Sequence, residues 1–197
     1  IMESHTSEHM VKPAMVYISQ STEVGTLYKK AELEALYACA QSYGLKLFID
    51  GARIGSAITS PHADVDLADL PQLCDAFTIG GTKNGALFGE AIVILDDSIG
   101  VDFRYQMKNR GAMMAKGFAL GIQFHTLFHE DLFSKMAKHA NDMASILVKG
   151  AKEAGWDPAY PPESNQLFYR LSPDQVEKYA EKVAFEINGR DGDHLII

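Results

Sequence analysis

Three polar clusters in this 197-residue chain each follow a short apolar run: Ser21-Thr22-Glu23, Asp50-Gly51-Ala52-Arg53 and Gly80-Gly81-Thr82-Lys83. Lys83 stands among glycines and a threonine. An amine in that setting, lowered in pKa and able to reach a pocket, forms a Schiff base with an aldehyde, and small neighbours let backbone and ligand approach closely. Without such a pocket it is an ordinary solvated loop lysine. Asp50 closes an apolar run, so its carboxylate is expected to be half-buried and to need a partner. Two partners fit: Arg53, three residues on, in a simple ion pair, or the protonated ring nitrogen of a bound cofactor.

Other chemistries find less support. GxxxxGK[ST], GxGxxG and GxSxG are all absent. His5/His9 and His125/His129 have i, i+4 spacing but no HExxH glutamate and no evident third ligand, so they read as surface or partly packed histidines. Cys39 and Cys74 form no CxxC pair; Cys39 reads as the buried side of a helix, and free thiols suit a reducing cytoplasm. Met107, Met113 and Met114 read as packing residues near a domain junction. Lys108, Arg110 and Lys116 form a small basic cluster, either a solvated face or the rim of an anion site.

The elements that must position these groups alternate. Residues 14–19, 45–49, 76–79 and 90–95 read as buried strands, the last two close enough to pair as a hairpin. Residues 29–43 read as a helix with Leu33, Leu36, Tyr37 and Ala40 on one face and Gly44 as its cap. Near-continuous apolar strands separated by helices predict an α/β sheet covered on both faces. In such a sheet ligands bind beyond the carboxyl ends of the strands, so parallel strands would turn the three clusters into one crevice. From about residue 111 the pattern changes to helices over 118–128 and 132–154, broken near 129–131. A short strand over 166–171 and a helix with Ser172 as cap and Pro173 in its first turn follow. A domain boundary is placed near 115, giving 1–115 as part of a large α/β domain and 116–197 as linking helices and part of a small α+β domain.

The net charge of −8 offers no basic field for nucleic acid, and no apolar run approaches the length of a membrane span. Both ends read as cut: the first residues form no signal peptide, and the last, Asp193-His194-Leu195-Ile196-Ile197, stop within an apolar strand.

The segments Ser21-Thr22-Glu23-Val24-Gly25-Thr26-Leu27-Tyr28, Leu47-Phe48-Ile49-Asp50-Gly51-Ala52-Arg53-Ile54 and Gly80-Gly81-Thr82-Lys83-Asn84-Gly85 together resemble the threonine aldolase family. The resemblance extends along the chain, including Pro162-Glu163-Ser164-Asn165-Gln166-Leu167-Phe168. It implies a β-eliminating lyase with the aspartate-aminotransferase-like, pyridoxal-phosphate-dependent fold. It further implies that Lys83 carries pyridoxal 5'-phosphate as a Schiff base and that Asp50 pairs with the pyridine nitrogen. By the same resemblance Thr82 holds the cofactor, Arg53 lies beside cofactor and substrate carboxylate, and Lys108 lies near the substrate. The family's phosphate-binding turn, its ring-stacking aromatic or histidine, and a carboxy-terminal arginine have no counterpart here.

The implied reaction is cleavage of a β-hydroxy-α-amino acid, such as threonine, to glycine and an aldehyde in a cytoplasmic homodimer or homotetramer. Fold does not fix reaction, so β-elimination or transamination stays open, as does a cofactor-free association module. A metal-dependent hydrolase built on His125/His129 is the weakest alternative.

Overall fold

The structure is a computed structural model and describes residues 2–197. The first half builds β1 (Met15–Ser19), α1 (Lys30–Ser42), β2 (Lys46–Asp50), α2 (Ile54–Thr59), β3 (Ala76–Gly80) and β4 (Glu90–Ile94). The sheet order is β1-β2-β3-β4; the first three strands are parallel, and β4 returns antiparallel along β3. The parallel pairing brings the carboxyl ends of β1, β2 and β3 to one edge, with Ser19 opposite Asp50. Strand alternation then decides what is buried. Leu47, Ile49 and Phe77 enter the core beneath Leu33 and Ala40 of α1, Ile54 and Ala57 of α2, and Leu70 and Leu73 of the connection to β3.

The opposite face of the sheet is more open than the apolar runs predict. Met15 is 53% exposed, Tyr17 54% and Ile92 45%, so among the described residues only one face is fully covered. Cys39, expected on the buried side of α1, is exposed, whereas Cys74 is buried. The α1 stripe of Leu33, Leu36, Tyr37 and Ala40 already fills the inward arc, and residue 39 points away from it.

After β4 come α3 (Asp97–Gly100), α4 (Phe103–Asn109), α5 (Phe118–Phe128) and α6 (Leu132–Glu153). The break between α5 and α6 has a backbone cause: Glu130 and Asp131 lie in the left-handed region, with φ of 50° and 60°. On α6, Phe133, Ala137, Asn141 and Ala144 form a buried stripe against α2. Gly55 makes that approach possible, since a Cβ there would sit 3.1 Å from both Ala137 and Phe133. Asn141 knits the contact: its Oδ1 accepts from Ser56 Oγ at 2.6 Å, and its Nδ2 donates to Ser56 O at 2.9 Å and Thr59 Oγ1 at 3.0 Å.

A second sheet has the order β5 (Asp157–Pro158), β6 (Tyr169–Leu171), β8 (His194–Ile196), β7 (Gly189–Asp191), antiparallel throughout. The strand expected over 166–171 is thus shortened to Tyr169–Leu171. The helix α7 (Pro173–Ala180) starts on a full capping box between Ser172 and Gln175. The boundary expected near 115 falls between α4 and α5. No helix among the described residues is long and apolar enough to cross a membrane.

Candidate active site

Two loops carrying the candidate residues are joined backbone to backbone. Gly80 N donates to Gly51 O at 2.9 Å, and Gly51 N donates to Thr78 Oγ1 at 2.9 Å. Nothing larger than glycine fits: a Cβ on Gly51 would lie 1.9 Å from Thr78 O, and one on Gly80 2.3 Å from Ala52 O. The stretch bearing Asp50 and Arg53 is therefore fixed against the stretch bearing Thr82 and Lys83.

Lys83 sits in a single 3-10 turn (Thr82–Asn84) after β3. The turn closes with Asn84 N and Ala86 N both donating to Gly81 O at 2.9 Å, and Gly85 takes the positive φ of 101° that ends it. Asn84 Nδ2 anchors the turn to α6 through Phe133 O at 2.9 Å. Lys83 stands between two cavities. One, of about 270 Å³, is lined by Ala52, Gly80, Gly81, Thr82, Gly89 and Glu90. The other, of about 30 Å³, is lined by Arg53, Ser56, Asn84 and Asn165 among others. Lys83 thus lines one cavity with Thr82 and the other with Arg53. Lys108 does not join them; it lies exposed on α4 and lines neither cavity.

Asp50, half-buried at the end of β2, is held by two donors. Ala52 N donates to Oδ1 at 2.9 Å, and the phenol of Tyr17 donates to Oδ2. The ion pair with Arg53, one of the two readings open from sequence, does not form among the described residues; Arg53 turns to the smaller cavity instead. The hydrogen bond to Asp50 pushes the Tyr17 phenol up to about 12, with burial and the carboxylates of Glu23 and Glu90 acting in the same direction. Tyr17 is a site neighbour that sequence reasoning missed. Within the run Ala14-Met15-Val16-Tyr17-Ile18-Ser19 only the period-2 alternation marks it as sharing a face with Ser19.

The third cluster follows β1. Ser21 is only 5% exposed, and its hydroxyl has no hydrogen-bond partner in the protein. Gln20 braces the loop through Tyr28, donating to its O at 3.1 Å and accepting from its N at 3.0 Å. Glu163 ties the loop to the later part of the chain, accepting from Leu27 N at 2.9 Å and from Lys29 Nζ at 3.3 Å. His125 and His129 stack with ring centroids 6.2 Å apart, and no group of three or more metal-ligating side chains occurs among the described residues.

The chain is similar to several known proteins. A low specificity L-threonine aldolase of Pseudomonas aeruginosa is 33% identical over 170 residues, covering 86% of this chain and 49% of that protein. The solved threonine aldolase of Leishmania major superposes with a TM-score of 0.93 at 44% identity, covering 99% of this chain and 58% of that one. A PLP-dependent aminotransferase of Streptococcus suis shares the fold, with a TM-score of 0.64 at 13% identity over 93% of this chain and 52% of that one. The expected aminotransferase-like fold is therefore present, and the chain spans about half the length of the relatives it matches. The beta-eliminating lyase family model matches residues 1–172, and on that match the chain belongs to the beta-eliminating lyase family.

Proposed function

We propose that the protein is a pyridoxal-phosphate-dependent carbon–carbon lyase that cleaves β-hydroxy-α-amino acids, threonine among them, to glycine and an aldehyde. The observation that carries this reading is the placement of Lys83 at a cleft of small residues, on a loop fused to the one that presents Asp50. The similarity to proteins named threonine aldolase selects the reaction.

The residues present fit the cofactor. Lys83 lines a cavity whose other walls are largely glycine and alanine, and Asp50 supplies a carboxylate with lone pairs to spare. The buried hydroxyl of Ser21, without a partner, is a further polar group at the same sheet edge. When bound, pyridoxal phosphate supplies a sink for the electron pair left at the substrate α-carbon. Lys83 would be the covalent anchor, and Thr82, its neighbour in the chain and on the lining of the same cavity, would help hold the cofactor. Asp50 would hold the ring nitrogen of the cofactor protonated through the negative charge of its carboxylate. Arg53, freed from Asp50, is available for the substrate carboxylate in a fork geometry. Lys108 is assigned to the substrate region on the family resemblance alone. The enzyme is proposed to act as a homodimer or homotetramer in the cytoplasm, a reading supported by exposed apolar side chains and two free cysteines.

The test is a spectrum of the natural full-length protein with pyridoxal phosphate, followed by borohydride reduction and peptide mapping. The expected result is a stable adduct on Lys83 that Lys83→Ala abolishes, together with glycine release from threonine. Absence of any adduct on Lys83 would overturn the reading.

A further inference from the structure

We infer that Tyr17 is a positioning residue for Asp50: its phenol fixes the carboxylate in the rotamer that presents its remaining lone pairs to a cofactor ring nitrogen. The inference rests on the function proposed above and names a residue that the family resemblance did not supply.

The geometry begins with strand register. Tyr17 lies opposite Phe48 in the parallel β1–β2 pair, and Ser19 lies opposite Asp50. Tyr17, Phe48 and Asp50 therefore share the more open face of the sheet, away from the core that takes Leu47 and Ile49. The Tyr17 ring stacks on Phe48, with centroids 5.5 Å apart and planes 17° apart, which sets the direction of its hydroxyl. That hydroxyl donates to Oδ2 of Asp50 while Ala52 N donates to Oδ1 at 2.9 Å.

An ionised carboxylate offers about four acceptor positions on its two oxygens. One donor on each oxygen blocks rotation about the final bond yet leaves a lone pair on each for a third donor. The backbone donor is invariant to side-chain chemistry, so the adjustable half of the clamp is Tyr17. Its phenol stays protonated across the working pH range, since the Asp50 hydrogen bond raises it to about 12. The charged groups facing it are Asp50 itself, Glu23 after β1 and Glu90 on β4, all acidic and all favouring the protonated phenol. Tyr17 thus acts as a fixed donor and not as a proton carrier.

The test loads the natural full-length protein with pyridoxal phosphate labelled with nitrogen-15 in the ring, and compares wild type with Tyr17→Phe. The phenylalanine keeps the stack on Phe48 and removes only the hydroxyl. The expected result is a ring-nitrogen resonance displaced toward neutral pyridine, with cofactor affinity weakened about tenfold, the scale of one hydrogen bond to a charged group. Turnover should fall while KM for threonine changes little. Should Tyr17→Phe fail to fold, site-specific 3-fluorotyrosine at position 17 keeps the shape and strengthens the donor, and the same resonance should move. Wild-type resonance and affinity in the folded variant, or no response to fluorination, would overturn the positioning role alone. Failure of the wild type to take up cofactor on Lys83 would overturn the function proposed above, and this inference with it.

Discussion

Asp96 shows how closely a single carboxylate can be tied to the fold. It caps α3 by accepting from Ser98 N at 2.7 Å, and it takes a hydrogen bond from Lys46 of β2. The Lys46 contact first, and then the Ser98 bonds, bring its carboxyl down to about 2. A folded-state value below the unfolded one stabilises the fold above the unfolded pKa and stops doing so as the group protonates. The window therefore runs from about pH 4 down to about pH 2. Asp96→Asn is expected to lower the urea midpoint at pH 6, with the difference shrinking from about pH 4 and disappearing only below about pH 2; a difference that does not change with pH would contradict the assignment. Asp75 is more deeply placed, at 4% exposure, and accepts from Leu47 N at 2.8 Å and Gln41 Nε2 at 3.2 Å. Asp75→Ala orphans the buried Leu47 amide and should cost about 1–3 kcal/mol in urea denaturation. Residues of this kind are only partly legible in sequence. Asp50 stood out because it ends an apolar run and Lys83 because it stands among glycines after one, and the strand order then brought their loops together. Tyr17 did not stand out, since its role depends on a cross-strand register that no local pattern encodes. The Asp50–Arg53 pair failed for the same reason, as Asp50 found its donors in Tyr17 and Ala52.

At the scale of elements, the site depends on how closely two loops can approach. Gly51 and Gly80 are pinned by backbone atoms, which cannot move aside as a flexible side chain can. Gly51→Ala is expected to destabilise the protein by about 3 kcal/mol or more and to weaken cofactor uptake with it. Gly121, in the middle of α5, is the contrasting case, with no atom within 4 Å of an added Cβ. Gly121→Ala should stabilise by up to about 1 kcal/mol through helix propensity alone. Urea midpoints of the two variants check both expectations, and equal effects would show that the loop contact is not restrictive. The elements themselves were readable where pattern and punctuation agreed. The break between α5 and α6 appeared as His129-Glu130-Asp131, and α7 as Ser172-Pro173. The strand expected over 166–171 was too long because its first residues are committed elsewhere. Gln166 O packs beneath Gly25, and Phe168 O accepts from Ala159 N at 2.8 Å, outside the regular ladder.

For the molecule as a whole, an apolar run shows that a surface avoids water without showing what covers it. Met15, Tyr17 and Ile92 accordingly stand open in this chain, which spans about half the length of the relatives it matches. A second open apolar surface lies on α5, where Phe118 is 65% exposed and Ile122 58%, one turn apart on the same side. Adjacent exposed apolar side chains on one helix face offer a surface on which a second copy can bury them. Self-association of the 197-residue chain at micromolar concentration follows, measurable by sedimentation velocity across a dilution series. Replacing Phe118 and Ile122 together by glutamate puts two like charges on that surface while leaving the buried Leu127 in place. The double variant is expected to shift the distribution toward monomer with little change in Tm. A distribution unchanged by the two charges would assign any association to another surface, the open face of the sheet being the next to test with Ile92→Glu. A wild-type chain that stays monomeric throughout the series would show that these side chains tolerate water, and would remove the main structural support for a homo-oligomer.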